Sequence, residues 1–225
     1  MVLAVAPSMA DKVRTIRDLK SRPVGVGSPG SVMHLFLNFL LVSHGLSPTD
    51  VGVVTIGTGA TSIAAIERGT VAAAVLVGAG TTTFARRYPK AELLADLRTR
   101  EGMHQVFGLS TVPMGGGLNA RDEWLQKNHE TARGFVRAVK KATQWITHHS
   151  PEEIRATIPE ASRMPDAEAD LEAIRLLQRN LSPDGIIPPE APEAVRRFLA
   201  VSDEKVRNAR LDLSTLYTNE FASLK

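Results

Sequence analysis

Val24-Gly25-Val26-Gly27-Ser28-Pro29-Gly30-Ser31 reads as a short strand that runs into a tight loop of small residues. Residues 32–44 then take up a helical period: Leu35, Phe36, Phe39, Leu40 and Val42 are apolar, and Gly45 is a natural stop. The same order recurs downstream. Val51-Gly52-Val53-Val54-Thr55-Ile56 is a second strand and Gly57-Thr58-Gly59-Ala60-Thr61 a second loop. A short helix follows to Arg68, and Gly69 ends it. Residues 71–77, rich in Val and Ala, form a third strand. Strands alternating with helices predict a mainly parallel sheet covered on both faces. Upstream, residues 2–5 are a further strand and Thr15-Ile16-Arg17-Asp18-Leu19-Lys20 a short polar turn or helix.

The second half is largely helical. Residues 112–118 read as extended, loosened by Gly115-Gly116-Gly117. Over 130–148, Ala132, Phe135, Val136, Val139 and Ile146 mark one amphipathic helix. Ser150-Pro151-Glu152-Glu153 starts the next: Ser150 caps it, Pro151 suits the first helical position and Glu153 closes a capping box. Leu171, Ile174 and Leu177 predict a further helix, and Val195, Phe198 and Leu199 another. Ser182-Pro183-Asp184-Gly185 with Pro188-Pro189 is a loop.

Composition narrows the function classes. The 225 residues are 43% hydrophobic and 23% charged, which suits an ordinary globular chain with a real core. Cysteine is absent, which excludes disulfides, thiolate-held metals and thiol catalysis. The net charge is +3 and the basic residues are scattered, so no nucleic-acid partner is expected. The six histidines show no metal-ligand spacing; His34 falls in the first turn after the Gly30-Ser31 loop, and His148-His149 at a helix end. Residues 1–7 are apolar but lack a basic leader, and read as a strand rather than a complete signal peptide.

The two loops carry the chemistry. In an open α/β sheet, ligands bind beyond the carboxyl ends of the strands, where helices begin and offer unpaired N–H groups. Both loops provide hydroxyls and backbone donors with no titratable group, a setting for a sulfonate or carboxylate. Such a site binds without supplying acid–base catalysis. One such loop is also simply a turn with a helix cap; two on adjacent units leave both readings open. A rival lies in Gly25-Val26-Gly27-Ser28-Pro29-Gly30, which fits G-x-G-x-x-G. It predicts a small oxidoreductase gripping a dinucleotide through Gly25, Gly27 and Gly30. Against it, Asp50 precedes the second strand, Thr55-Ile56-Gly57 offers no acid, and Gly25 falls inside the first strand.

Several stretches, in order, resemble one family. Asp18-Leu19-Lys20 with Pro23-Val24-Gly25-Val26 resembles a "DLKG…(I/V)GV" entry. His44-Gly45-Leu46-Ser47-Pro48-Thr49-Asp50-Val51 resembles a "GL-x-P-x-D-V" turn, and Ala64-Ala65-Ile66-Glu67-Arg68-Gly69 an "AAL-x-x-G" helix. Residues 212–221 resemble the family's closing segment. The chain is thereby similar to the taurine-, sulfonate-, nitrate- and thiamine-precursor-type substrate-binding proteins of ABC importers.

The resemblance implies a periplasmic-binding-protein type II-like α/β fold, with the ligand in a cleft between two lobes. It makes residues 18–111 lobe two, and 1–17 with 112–225 the remainder of lobe one. Its implied ligand-binding residues are Ser28, Gly30, Ser31, Thr58, Gly59 and Thr61, with a weaker third group of Gly78, Gly80 and Thr81. A small anionic or zwitterionic solute, no cofactor, no catalysis, an ABC permease partner and a periplasmic or cell-surface location follow. A second alternative is a sensory or interaction module on the same fold. Two departures stand out. The family's leader and opening βα units have no counterpart, about a hundred residues at ordinary domain size. Ala72 stands where the family has the Asp of Val-Asp-Ala, a carboxylate expected to buttress the site. Without cysteine, the yeast-type thiamine-precursor synthases of this fold are an unlike branch.

Overall fold

The computed structural model describes residues 1–108, 116–164, 166–182 and 184–223. The chain divides into two compact units, one of Met1–Val112 with Arg196–Ala209 and one of Pro113–Val195 with Arg210–Lys225.

The first unit is built on a five-stranded sheet of order β3-β2-β4-β1-β5. Its strands are β1 (Val2–Val5), β2 (Pro23–Val26), β3 (Gly52–Thr55), β4 (Ala73–Leu76) and β5 (Leu93–Asp96). Parallel pairs join β2 to β3 and to β4, while β1 pairs antiparallel with β4 and β5. Four strands therefore point one way and β1 opposes them. The helices are α1 (Val32–Ser43), α2 (Ala60–Glu67), α3 (Ala79–Arg87) and α4 (Arg100–Phe107).

Every residue of β1 and β4 is buried, as expected for strands covered on both faces. Strand alternation splits them into two cores. Val2, Ala4, Ala74 and Leu76 pack with Ile63 and Ile66 of α2 and Phe84 of α3. The chain passes from β2 through α1 to β3, then returns past β2 through α2 to β4. Right-handed crossovers in opposite directions place α1 and α2 on opposite faces. Phe36, Leu37, Leu40 and Leu41 of α1 are buried on their face. Each contributes roughly 1.5–3 kcal/mol of hydrophobic stabilisation.

The two expected βα units and the third strand are present, with Ser31 as the cap of α1 and Arg68 closing α2. The structure adds α3, β5 and α4, which the sequence reading left without elements. β1 lies inside this sheet because its four residues are almost fully buried and have partner strands on both sides. A late segment joins it too: the Phe198 ring lies 5.5 Å from Phe39 and 5.9 Å from Phe107.

In the second unit, α5 (Asp122–Lys127), α6 (His129–His148), α7 (Pro151–Thr157), α8 (Ala167–Asn180) and α11 (Glu220–Ser223) are its own, while α10 (Glu204–Asn208) belongs to the first unit. The helix α9 (Ala191–Ala200) bridges the division of the chain. The capping box of α7 forms as expected: Ser150 Oγ accepts from Glu153 N–H, and Glu153 Oε2 accepts from Ser150 N–H. α7 and α8 are pinned by Arg155 Nε donating to Asp170 Oδ2 at 3.0 Å, with Asp170 buried. Gln178 of α8 donates to Ile146 O and His149 O, tying it to the end of α6. Of the extended stretch expected over 112–118, residues 112–115 lie outside the described residues, and 116–118 form no strand. Among the described residues no helix is long and apolar enough to cross a membrane.

Two predictions follow from local energetics in the first unit. Ser21 has φ 61° after Lys20 at φ −52°, ψ 131°, and Arg22 N–H donates to Leu19 O at 3.0 Å. This is a type II turn with serine at the position that favours glycine. Ser21→Gly is expected to raise stability by about 0.5–1 kcal/mol in urea titration. At the end of β5, burial pushes the Asp96 carboxyl up, but the Arg98 guanidinium and amide outweigh it and hold its pKa below the usual value. A carboxylate depressed in the folded state adds stability that is present above its unfolded pKa of about 3.9 and lost as pH falls through the folded value. Asp96→Asn is expected to flatten the acid limb of a stability–pH curve below about pH 4 and to lower stability at neutral pH.

Candidate functional site

The carboxyl ends of β3, β2 and β4 lie side by side, and each feeds a loop and a helix. The chain leaves β2 towards β3 but leaves β4 towards β5, so the connections diverge between β2 and β4. Such a switch point opens a crevice at the carboxyl edge of an α/β sheet.

The loops come close to one another. A Cβ built on Gly27 would clash with Met33 Cε and sit 3.6 Å from Thr58 Cγ2. One built on Gly80 would lie 3.4 Å from Ser62 Oγ and 3.7 Å from Gly59 N. The first loop thus abuts the second, and the second abuts the third. No residue of 27–31, 57–61 or 78–81 titrates.

The hydroxyls mostly face their own loops. Ser31 Oγ donates to Ser28 O at 2.6 Å and accepts weakly from His34 N–H at 3.4 Å. Thr61 Oγ1 donates to Thr58 O at 2.9 Å, Ser62 Oγ to Gly59 O at 2.8 Å and Thr81 Oγ1 to Gly78 O at 2.7 Å. His34 Nδ1 accepts from Gly30 N–H at 3.0 Å, so this ring closes the first loop. α1 is therefore capped. α2 is not: its cap position is Gly59, which has no side chain, and Thr61 and Ser62 donate backwards instead of accepting from first-turn amides. The start of α2 presents N–H groups and the positive end of the helix dipole.

Gly59 (φ 62°, ψ −129°) and Gly78 (φ 52°, ψ −134°) share one backbone conformation, open only to glycine, at the mouths of α2 and α3. This common corner makes the second and third loops versions of the same device.

The expected ligand residues sort by position. Ser28, Gly30, Thr58, Thr61 and Gly78 are exposed, and Ser31 and Gly59 half-buried. Gly80 and Thr81 are buried; Thr81, 2% exposed and bonded to Gly78 O, holds its loop together. Sequence reading missed Ser62, which is 2% exposed and abuts Gly80. Its signal was the hydroxyl three residues after Gly59, matching Thr61 after Thr58. It also missed Met33, which fills the space beneath Gly27.

The dinucleotide fingerprint finds no support in this geometry. Gly25 pairs with Val54 and Ala74 inside the sheet, and a Cβ there would meet Ile56 Cδ1 at 2.5 Å. Its smallness serves sheet packing. Asp50 precedes β3, accepts from Ser47 N–H and pairs with Lys20 at 3.6 Å. That is the amino edge of the sheet, opposite the loops. Ala72 is on the same amino edge: it precedes β4, is 3% exposed and donates to Pro23 O at 2.8 Å. A carboxylate at this position would stand away from the loops, which corrects the expectation that it buttresses the site. Ala72 instead lines a shallow cavity of ≈ 270 Å³ with Ser8, Met9, Ser21, Arg22 and Gly69.

The family described as NMT1/THI5 like matches over residues 3–154. A solved structure from Bordetella bronchiseptica RB50 is 26% identical with a TM-score of 0.84, covering 98% of this chain and 69% of that one. The alkanesulfonate-binding protein SsuA of Xanthomonas axonopodis pv. citri, bound to MOPS, is 19% identical with a TM-score of 0.65, covering 95% of this chain and 68% of that one. The periplasmic aliphatic sulphonate binding protein SsuA of Escherichia coli is also 19% identical, with a TM-score of 0.68, covering 99% of this chain and 70% of that one. No curated protein matches the chain.

The corner at Gly59 yields a direct test. Gly59→Ala is expected to cost about 1–3 kcal/mol, because an L side chain is strained there although nothing lies within 4 Å of the new methyl. Gly134→Ala, in the exposed interior of α6 with the same free space, is expected to stabilise by roughly 0.5–1 kcal/mol. Thermal melts of the two variants check the opposite signs.

Proposed function

The chain belongs to the NMT1/THI5-like family, and on that premise we propose that it is the solute-binding component of an ABC import system, carrying a small organic anion or zwitterion. The observation that carries this reading is the uncapped start of α2 between two hydroxyl-bearing loops. Backbone amides there receive a sulfonate or carboxylate oxygen, and the adjacent helix dipole favours its charge. Ser28, Gly30, Ser31, Thr58, Gly59 and Thr61 form the contact surface. Thr81 and Gly80 support it from beneath.

Binding without catalysis fits the absence of titratable groups from the three loops. General acid–base chemistry needs a proton carrier within hydrogen-bond reach of the reacting atom. The two sulfonate-binding proteins share the fold, and the Escherichia coli protein is periplasmic. By that likeness this chain works outside the inner membrane and hands its solute to a membrane permease.

The test is a thermal-shift and calorimetric panel of alkanesulfonates, aliphatic carboxylates, amino acids and NAD(P). A bound solute at a hundred times its Kd is expected to stabilise by about 2.7 kcal/mol. Ala60→Pro removes one donor at a helical position where proline is tolerated. It is expected to weaken binding about 10–100-fold, the value of a charge-assisted hydrogen bond, with little change in the melting temperature of the free protein. A response to NAD(P) alone favours the oxidoreductase reading. Silence across the whole panel leaves the interaction module.

A further inference from the structure

The cavity at the amino edge of the first unit's sheet has ≈ 270 Å³ of room, roughly the space of nine waters at about 30 Å³ each. Its walls are pinned by the backbone. Ser21 N–H donates to Asp50 O at 2.7 Å, Gly52 N–H to Arg22 O at 3.0 Å, Ala72 N–H to Pro23 O at 2.8 Å and Ala6 N–H to Ala72 O at 2.9 Å. The cavity is therefore preformed, and a guest needs little ordering of the chain to enter it. Its polar side chains are left over from that network. Arg22 Nε donates to Asp18 O at 2.7 Å, which anchors the guanidinium, but its two Nη groups have no hydrogen-bond or ion-pair partner among the described residues. Neighbouring acids are engaged elsewhere: Asp18 Oδ2 accepts from Arg14 N–H, Thr15 N–H and Thr15 Oγ1, and Asp50 accepts from Ser47 N–H and pairs with Lys20. The hydroxyls of Ser8 and Ser21 also lack a partner among the described residues. Ser21 is held at φ 61°, so the fold carries this hydroxyl in a conformation that favours glycine. Strain at a residue whose side chain bonds to nothing in the fold points to something outside it.

We propose that this cavity is a second small-molecule site, separate from the glycine loops, for a short aliphatic monocarboxylate. The two Nη groups of Arg22 present the paired donors that a planar carboxylate accepts. Ser8 and Ser21 donate their hydroxyl protons to the same oxygens. Met9, Pro23 and Val71 supply an apolar wall for the alkyl end, and the volume admits only a few methylenes. Arg22 is the one charged residue of the lining, which suits a single negative charge better than two. The cavity lies at the opposite edge of the sheet from the loops, so the inference stands whether or not they bind a solute.

The test titrates propionate into the chain and follows backbone amide chemical shifts, which separate the two edges of the sheet. Saturable shifts are expected at Ser8, Ser21, Gly69 and Ala72, with a Kd of their own, distinct from any response of residues 57–61. Arg22→Gln is expected to weaken binding at the cavity on the order of 100-fold, the loss of a charge-assisted pair, and to leave any response of the loops unchanged. Ser21→Gly is expected to weaken it about tenfold while raising the melting temperature, opposite signs that a purely structural serine would not give. Propylamine and inorganic phosphate are expected to leave the cavity amides unmoved. Cavity amides that stay still throughout the propionate titration overturn the proposal. So do shifts that persist undiminished in Arg22→Gln, or phosphate that matches propionate. Should Arg22→Gln fail to fold, Ser21→Gly decides, and an unchanged Kd in that variant overturns the proposal.

Discussion

The pairing of β1 between β4 and β5 is the constraint on which the first unit depends. β1 is the antiparallel strand of the sheet, and its four residues are each 1% exposed or less. It presents Val2 and Ala4 to one core and Leu3 and Val5 to the other. Without it, β4 would become an edge strand with a row of unpaired amides and carbonyls, and β5 would have no partner. With it, β4 is held from both sides, and the loop after Leu76 is delivered beside the loops after β2 and β3.

The candidate site follows from that placement. Three parallel strands in the order β3-β2-β4 deliver three glycine corners to one edge, and the reversal of direction at β2 separates their helices. The corners differ in how they finish. His34 and Ser31 close the start of α1, whereas Gly59 leaves α2 open. That contrast, set by which residue stands at the cap, decides which helix start leaves its main-chain donors open.

Much of this was legible in the residue order. β2, α1, β3, α2 and β4 each combine a clear period with a glycine stop, so strand and helix declare themselves locally. The capping box at Ser150 was readable for the same reason. α3 was not, because Ala79-Gly80-Thr81-Thr82-Thr83 mixes a weak helix former with β-branched residues; burial of Thr81, Thr82 and Phe84 overrides that preference. β5 was hidden because four residues of mixed character at an edge give no alternation to count, and its pairing with β1 is a long-range fact. The pairing of β1 with β4 is a fact of the same long-range kind. A resemblance assigns a segment to a lobe by order along the chain, whereas β1 is assigned by the strands on either side of it. In the loops, glycine and hydroxyl content was plain from sequence, but the direction of each hydroxyl was not. Thr61 and Thr81 look alike in sequence, yet one is exposed and the other sealed.

On the proposed reading, the backward-facing hydroxyls would act as a threshold for what the loops admit. To greet a guest with its proton, Ser31 or Thr61 must first let go of a carbonyl three residues behind it. Releasing a neutral internal bond of this kind costs roughly 0.5–1.5 kcal/mol, about what a neutral acceptor returns, whereas an ionised oxygen returns roughly 1.5–3 kcal/mol. Sugars and alcohols therefore gain almost nothing by turning these side chains outward, while an ionised head group gains at each one. On that reading, discrimination by charge would come from a surface that carries no charged side chain of its own.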